Sequence, residues 1–359
     1  MPTDACFPRP VLTIPFFLAA MILASASTSR AAPDRQSRVP KKQLASSCQA
    51  ITVTPAGKLV DFKAPSGMPA AKADSLVEVV AAISGAMATG DAQKLAGFFH
   101  PRLKLNVATI SSQLAEIRAR YGEPVSFNPL KLLLVRSPGG DTTPVACDFD
   151  GVVLNPLYGY DHQASLWFQA TGQQDIARVM MGIVPLPDRL GGGWRIGNFH
   201  TQQWTHAGRD PLAWIETART ARSAKNALAA WTMFDITEKL LRPSAFAAYQ
   251  AHDMVAVERD SLMSRADWLA AVSTTPPDLK VEGAVSLLVR GGAGILYKLR
   301  LVKELSSNEI QEHCRSTAKN LMARKDTKGL AGIRCEYYRP GESLNKDSVI
   351  GGLFVPITE

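Results

Sequence analysis

The chain carries no G-x-S-x-G elbow, no Walker loop, no H-E-x-x-H pair and no calcium-binding loop. Those absences leave the motif-bearing serine hydrolases, P-loop nucleotide enzymes, zinc proteases and EF-hands without support. Its 5 cysteines include no C-x-x-C spacing, so a zinc ribbon or a thioredoxin-like site lacks its ligands. His100, His206, His252 and His313 show no metal-ligand spacing, and no metal or other cofactor is expected. The run Gly291-Gly292-Ala293-Gly294 has strand patterns on both sides, whereas a phosphate loop needs a helix after it. No internal repeat is visible. Charged residues are only 20% of the chain against 46% hydrophobic, the balance of a globular protein.

What is present begins with a targeting segment. Arg9 precedes an apolar run at 11–26, broken only by Thr13, Pro15 and Ser25, with small residues allowing cleavage after Ala26 or Ala31. Residues 27–42 then carry Arg30, Arg35, Arg38, Lys41 and Lys42 against Asp34 alone, five minus one. Positive charge there resists translocation, so an uncleaved inner-membrane anchor stands as the alternative to a signal peptide. The run is short for a stable span, which favours export to the periplasm or the medium.

The formal charge of +8 is 40 basic minus 32 acidic residues, and half of it sits in that tail. The remainder is mildly basic, which argues against a nucleic-acid partner. Membrane contact is expected only through the N-terminal segment, by loose attraction to an anionic surface.

The mature chain keeps Cys48, Cys147, Cys314 and Cys335, an even set with three connectivities in an exported protein. Cys314 shares a helical stripe with Ile310, Ala318 and Leu321, and Cys335 shares a strand face with Ile333 and Tyr337. Both therefore point inward from consecutive elements and are expected to bridge. Cys48–Cys147 is the remaining pair.

Residues 27–72, rich in Ser, Pro, Ala and Lys with short apolar pieces such as Ile51-Thr52-Val53, read as a linker or a loosely attached strand, followed by three folded segments. In 73–210, Leu76, Val79, Val80, Ile83 and Met87 recur at helical spacing up to Gly90, a natural left-handed cap. Asp91 starts the next turn, with Leu95, Phe98 and Phe99, and a further helix covers about 111–121 with Leu114 and Ile117 inward. The period then changes to strands at 132–135, 145–154, 164–170, 176–184 and 194–204. Residues 211–250 form a helical hairpin, striped first by Trp214, Ile215 and Ala218, then by Leu228, Trp231 and Phe234. In 251–359 two alternating runs flank the Gly291–Gly294 turn, and Ser306 with Glu309 makes a capping box. The expected class is α+β: helices against a curved antiparallel sheet, a helical connector, and a small C-terminal α+β domain.

The helix break at Gly90-Asp91 and the strand GGGWRIGNFHTQQW entered through Gly191-Gly192-Gly193 resemble the nuclear-transport-factor-two-like superfamily, over the first domain only. Its members, including ketosteroid isomerase and the SnoaL-like cyclases, hold ligands in an apolar cone between sheet and helices. Strand alternation puts His162 on one face with Ala164, Leu166 and Phe168, and Trp194, Ile196, Asn198, His200 and Gln202 on one face of the last strand. The resemblance implies that His162, Trp194, Asn198, His200 and Gln202 line such a pocket. No catalytic residue is assigned. The expectation is an exported, non-catalytic binding module for a small apolar ligand or an envelope protein. The alternatives are an isomerase- or dehydratase-like enzyme using His162 or His200, and an anchored subunit of an envelope assembly.

Overall fold

A computed structural model describes residues 46–157, 159–173, 175–273, 279–289, 291–341, 343–344 and 349–357. The targeting segment and residues 27–45 of the linker lie outside these residues, whereas its remainder is folded and contains the first strand.

The first helical stripe forms α1 (Ala70–Thr89), and Leu76, Val80, Ile83 and Met87 are completely buried. Gly90 ends it at φ 66°, donating its N–H back to the Met87 carbonyl. The Asp91 side chain then caps α2 (Ala92–Ala96) by accepting the Lys94 N–H at 2.9 Å. The next helix, α3 (Val107–Tyr121), begins four residues before the expected 111, because Asn106 accepts the Thr109 N–H and caps it there.

In chain order the strands are β1 (Ser47–Thr52), β2 (Ser126–Arg136), β3 (Val145–Ala146), β4 (Val152–Leu154), β5 (His162–Thr171), β6 (Ile176–Pro185) and β7 (Trp194–Gln203). The expected single run at 145–154 is two short strands, since Asp150 and Gly151 both take positive φ and turn the chain. Strands β1, β2, β5, β6 and β7 form one antiparallel sheet in the order β1-β2-β5-β6-β7. The helical layer α1–α3 packs on one face against Leu134, Leu166, Phe168, Val179, Met181 and Ile183. Leu133, Val135, Trp167 and Met180 point the other way, into a second core. Both faces of this sheet are therefore covered, which is why β5 reads Ala164–Phe168 as an unbroken buried run rather than an alternation.

The second core starts with α4 (Pro211–Ser223) and α5 (Ala227–Leu240), followed by β8 (Ala247–Tyr249), α6 (Ala251–Asp260) and α7 (Arg265–Val272). Strand β8 pairs with β4, making a three-stranded sheet β3-β4-β8 that crosses the boundary drawn at 210. Helix α5 is buried nearly all round, from Leu228 to Thr237. It lies between these strands and the C-terminal unit, β9 (Leu279–Val289), β10 (Gly292–Leu301), α8 (Ser307–Met322), β11 (Gly332–Tyr338) and β12 (Val349–Pro356). That sheet runs β12-β11-β10-β9, with β10 parallel to β11 across the α8 crossover. One continuous core thus joins Trp167 of β5 to Tyr297 of β10 through Trp231 and Phe234.

Both expected disulfides are formed, Cys314–Cys335 across 21 residues and Cys48–Cys147 across 99. Two bridges of this kind belong to a protein that matures in an oxidising, extracytoplasmic compartment. Among the described residues no helix is long and apolar enough to cross a membrane.

Candidate functional site

The last strand of the large sheet does not keep its period. Gly182 pairs with Asn198 and Ile183 with Ile196, leaving Gly197 as an extra residue in β7. A one-residue bulge sends every later side chain to the opposite face. Trp194 and Ile196 accordingly lie in the core under the helices, and Phe199 reaches that side as well, 6.3 Å from Phe99. Asn198, His200 and Gln202 point to the outer face instead. The expected common face of Trp194, Asn198, His200 and Gln202 is therefore corrected.

Each of these residues has a local reason for its place. Trp194 is fully buried and its Nε1 donates to the Lys72 carbonyl at 2.8 Å, tying β7 to the first turn of α1. The Asn198 Oδ1 accepts the Gly182 N–H at 2.8 Å, closing the bulge. Gln202 Nε2 donates to the carbonyls of Lys239 and Leu240, both at 2.7 Å, and so caps the C-terminal end of α5. These four bonds hold the fold.

His162 stays on the helical side, at the start of β5, where burial lowers its pKa and a hydrogen bond to the Ser66 backbone opposes the shift. His200 stands across the sheet from Met180 on the outer face, 6.2 Å from the Phe246 ring, and burial lowers its pKa too. The two imidazoles are on opposite sides of the sheet. Among the described residues neither is hydrogen-bonded to a carboxylate, and each leaves a buried Nε2 without a protein partner.

The outer face holds more polarity than its pattern announces. Three successive rows cross β5, β6 and β7: Ser165–Gly182–Asn198, Trp167–Met180–His200 and Gln169–Arg178–Gln202. Ser165 Oγ, Trp167 Nε1, Arg178 Nε, His200 Nε2 and Gln202 Oε1 are buried there without protein partners, as is Tyr249 Oη opposite. An unsatisfied buried polar group costs about 1–3 kcal/mol. Six of them dry would cost about as much as the 5–15 kcal/mol that holds a domain folded.

A cavity of about 30 Å³ opens at the first row, lined by Gln163, Ser165, Asn198, Asn155, Pro156 and Phe246. That is room for one or two waters, against the ~300–1,000 Å³ of a small-molecule pocket. On the helical face the side chains of Leu76, Val80, Ile83, Leu166 and Phe168 are all fully buried and fill the space between sheet and helix.

Sequence reasoning missed two groups. Arg178 interrupts the apolar run Ile176–Val184 and is held over Trp204 at 4.7 Å and Phe149 at 6.0 Å, with Asp150 at 3.5 Å. A charged residue in an otherwise apolar strand was the available signal. Asp235 is 3% exposed and gathers Lys239 at 2.6 Å, Arg259 at 3.2 Å and Ser286. Burial alone pushes its carboxyl up, but these partners hold it below the usual carboxylate range. Ser286 Oγ also meets Lys239 Nζ at 2.8 Å, yet Ser286 is 5% exposed, so this is a buried joint between α5 and β9. No His, Cys, Asp or Glu group among the described residues has the arrangement of a metal site.

No protein-family model, curated protein or solved structure matches the chain.

Proposed function

We propose that this protein is a non-catalytic binding module of the cell envelope and that its ligand is another protein. The observation that carries the reading is the packing of the helical face, where Leu76, Val80, Ile83, Leu166 and Phe168 occupy the space a small apolar ligand would need. The separation of His162 from His200 by the thickness of the sheet, with no carboxylate bonded to either among the described residues, speaks against the isomerase or dehydratase alternative.

The Gly90-Asp91 helix break laid on a five-stranded antiparallel sheet supports membership of residues 73–210 in the nuclear-transport-factor-two-like superfamily. Export by the segment at 11–26 places the mature chain in the periplasm or the medium, with the basic stretch at 27–42 near anionic surface. A mature N-terminus read by mass spectrometry at Ser27 or Ala32 fits this; an intact Met1 fits the anchored alternative.

Strand β12 supports a protein ligand. Among the described residues it ends its sheet, and it carries no charged residue between Val349 and Pro356 and leaves Ile350 and Phe354 40% and 36% exposed. Such an edge accepts an extended strand of a partner through backbone hydrogen bonds, with alternate side chains conferring choice. A photo-crosslinking residue at 350 or 354, introduced in the full chain in cells, should give one discrete adduct. The same residue at the exposed Val107 or Leu190 should give none. Native mass spectrometry should find no bound small molecule. A stoichiometric apolar ligand, with no adduct from β12, would overturn the reading.

A further inference from the structure

We infer that the outer face of the five-stranded sheet contains an internal water-binding site spanning three register rows, with a cavity at the row of Ser165 and Asn198. This goes beyond the partner-binding reading and does not depend on it. The strand register lines up the six buried polar atoms that lack protein partners, and a small cavity lies at the first of their rows, against Ser165.

The chemistry of the cluster selects the ligand. Trp167 Nε1 and Arg178 Nε can only donate, and Gln202 Oε1 can only accept. The hydroxyls of Ser165 and Tyr249 do both, and His200 Nε2 takes either role according to tautomer. An anion would satisfy the donors and strand Gln202; a cation would meet Arg178 as a like charge. The groups call for a neutral ligand that both gives and receives, and in the cavity of about 30 Å³ at Ser165 and Asn198 water is the one that fits.

The geometry keeps the site compact. Rows two residues apart along a strand are separated by about 7 Å, so the three rows fall within about 14 Å. At the far end, Trp167 and Tyr249 rings lie 6.2 Å apart, Tyr249 and Trp204 5.0 Å, and Arg178 stands 4.7 Å from Trp204. The Trp167, Tyr249 and Trp204 rings and the Arg178 guanidinium thus form one contiguous cluster. Ser165, with Asn198 and Gln163, forms the end nearest solvent. Ser165 is only 6% exposed although it lines the cavity, so its hydroxyl faces space that bulk solvent barely reaches.

The seam changes how the layers are joined. The β3-β4-β8 sheet meets the large sheet through edge contacts of Trp167 with Phe149 and Tyr249. Buried waters that bridge unpartnered polar groups are part of the structure and costly to remove.

Oxygen-17 magnetic relaxation dispersion on the full mature chain tests this directly, with water itself as the probe. The expected result is several waters of long residence, at least one of which is lost in Ser165→Ala and in Tyr249→Phe, with a lowered Tm in each. A wild-type protein without long-lived waters would overturn the inference. So would variants whose Tm rises, because deleting a dry, unsatisfied hydroxyl relieves a penalty whereas deleting a hydrated one removes hydrogen bonds. Should one of the two variants fail to fold, the other decides.

Discussion

Asn198 lies across Gly182: its Oδ1 accepts the Gly182 N–H at 2.8 Å, over the register shift that leaves Gly197 unpaired. The amide does in the bulge what a ladder bond does elsewhere in the sheet. It also requires the absence of a side chain at 182, where a Cβ would come within 2.4 Å of Asn198 Nδ2.

Gly182→Ala is therefore expected to destabilise the fold by about 1–3 kcal/mol through overpacking, read as a lower urea midpoint with an unchanged slope. Asn198→Ala in the same chain should recover part of the loss. Equal effects in the presence and absence of the Asn198 side chain would show that the two residues do not couple.

Gln202 offers a second test, because it satisfies two carbonyls at the end of α5. Gln202→Ala should cost about 1–2 kcal/mol in urea unfolding, the usual effect of exposing groups that a side chain had satisfied. Gln202→Glu should be worse, since it sets a negative charge against the negative end of the helix dipole. Parity of the two variants would remove the capping role.

The histidines set the acid response. Both His162 and His200 have pKa values below the ordinary 6.5, with burial as the first cause. The folded state holds them neutral while the unfolded chain takes up the proton. Stability is then full above about pH 6.5 and falls as pH drops through the window between that value and the lowered folded values. His200→Gln should flatten the Tm-against-pH curve between about pH 7 and pH 5. An unchanged curve would mean that His200 titrates alike in both states.

Asp235 and Lys239 should respond unequally. Removing the carboxylate in Asp235→Ala leaves Lys239, Arg259 and Ser286 without their common acceptor, at a cost of about 3–5 kcal/mol. Lys239 has a side chain 52% exposed and can be lost more cheaply, because Arg259 and Ser286 continue to hold Asp235. Chemical denaturation of Asp235→Ala and Lys239→Met gives the comparison, and equal losses would refute it.

The two disulfides should open in order. Cys48 is half-buried beside an open cleft lined by Ser46, Asp141 and Thr143, whereas Cys314 and Cys335 are fully buried. Access controls thiol–disulfide exchange, so limiting dithiothreitol followed by alkylation and peptide mapping should label Cys48 and Cys147 first. Prior labelling of Cys314 and Cys335 would contradict the exposure argument.

Much of the fold was legible. The stripe from Leu76 to Met87, the Gly90 and Asp91 caps, the Ser306–Glu309 capping box and the inward Cys314 and Cys335 rest on interactions within a few residues or between consecutive elements. Local sequence carries that information in its periods and cap residues. The α+β class follows from the same signals. The placement of the candidate site residues did not follow, because it depends on contacts between strands far apart in sequence.

The sequence by itself determined the helical stripes of α1, α5 and α8, and that apolar residues such as Phe168 and Met181 must be buried, but not that β1 joins the large sheet or that β8 follows α5. Only the tertiary structure decided which face Asn198, His200 and Gln202 would occupy and what would cover it. Alternation fixes a side only while each residue has a partner, and Gly197 has none. The bulge reversed the face, and α5, reached 25 residues after Gln202, supplied the carbonyls that this side chain now caps.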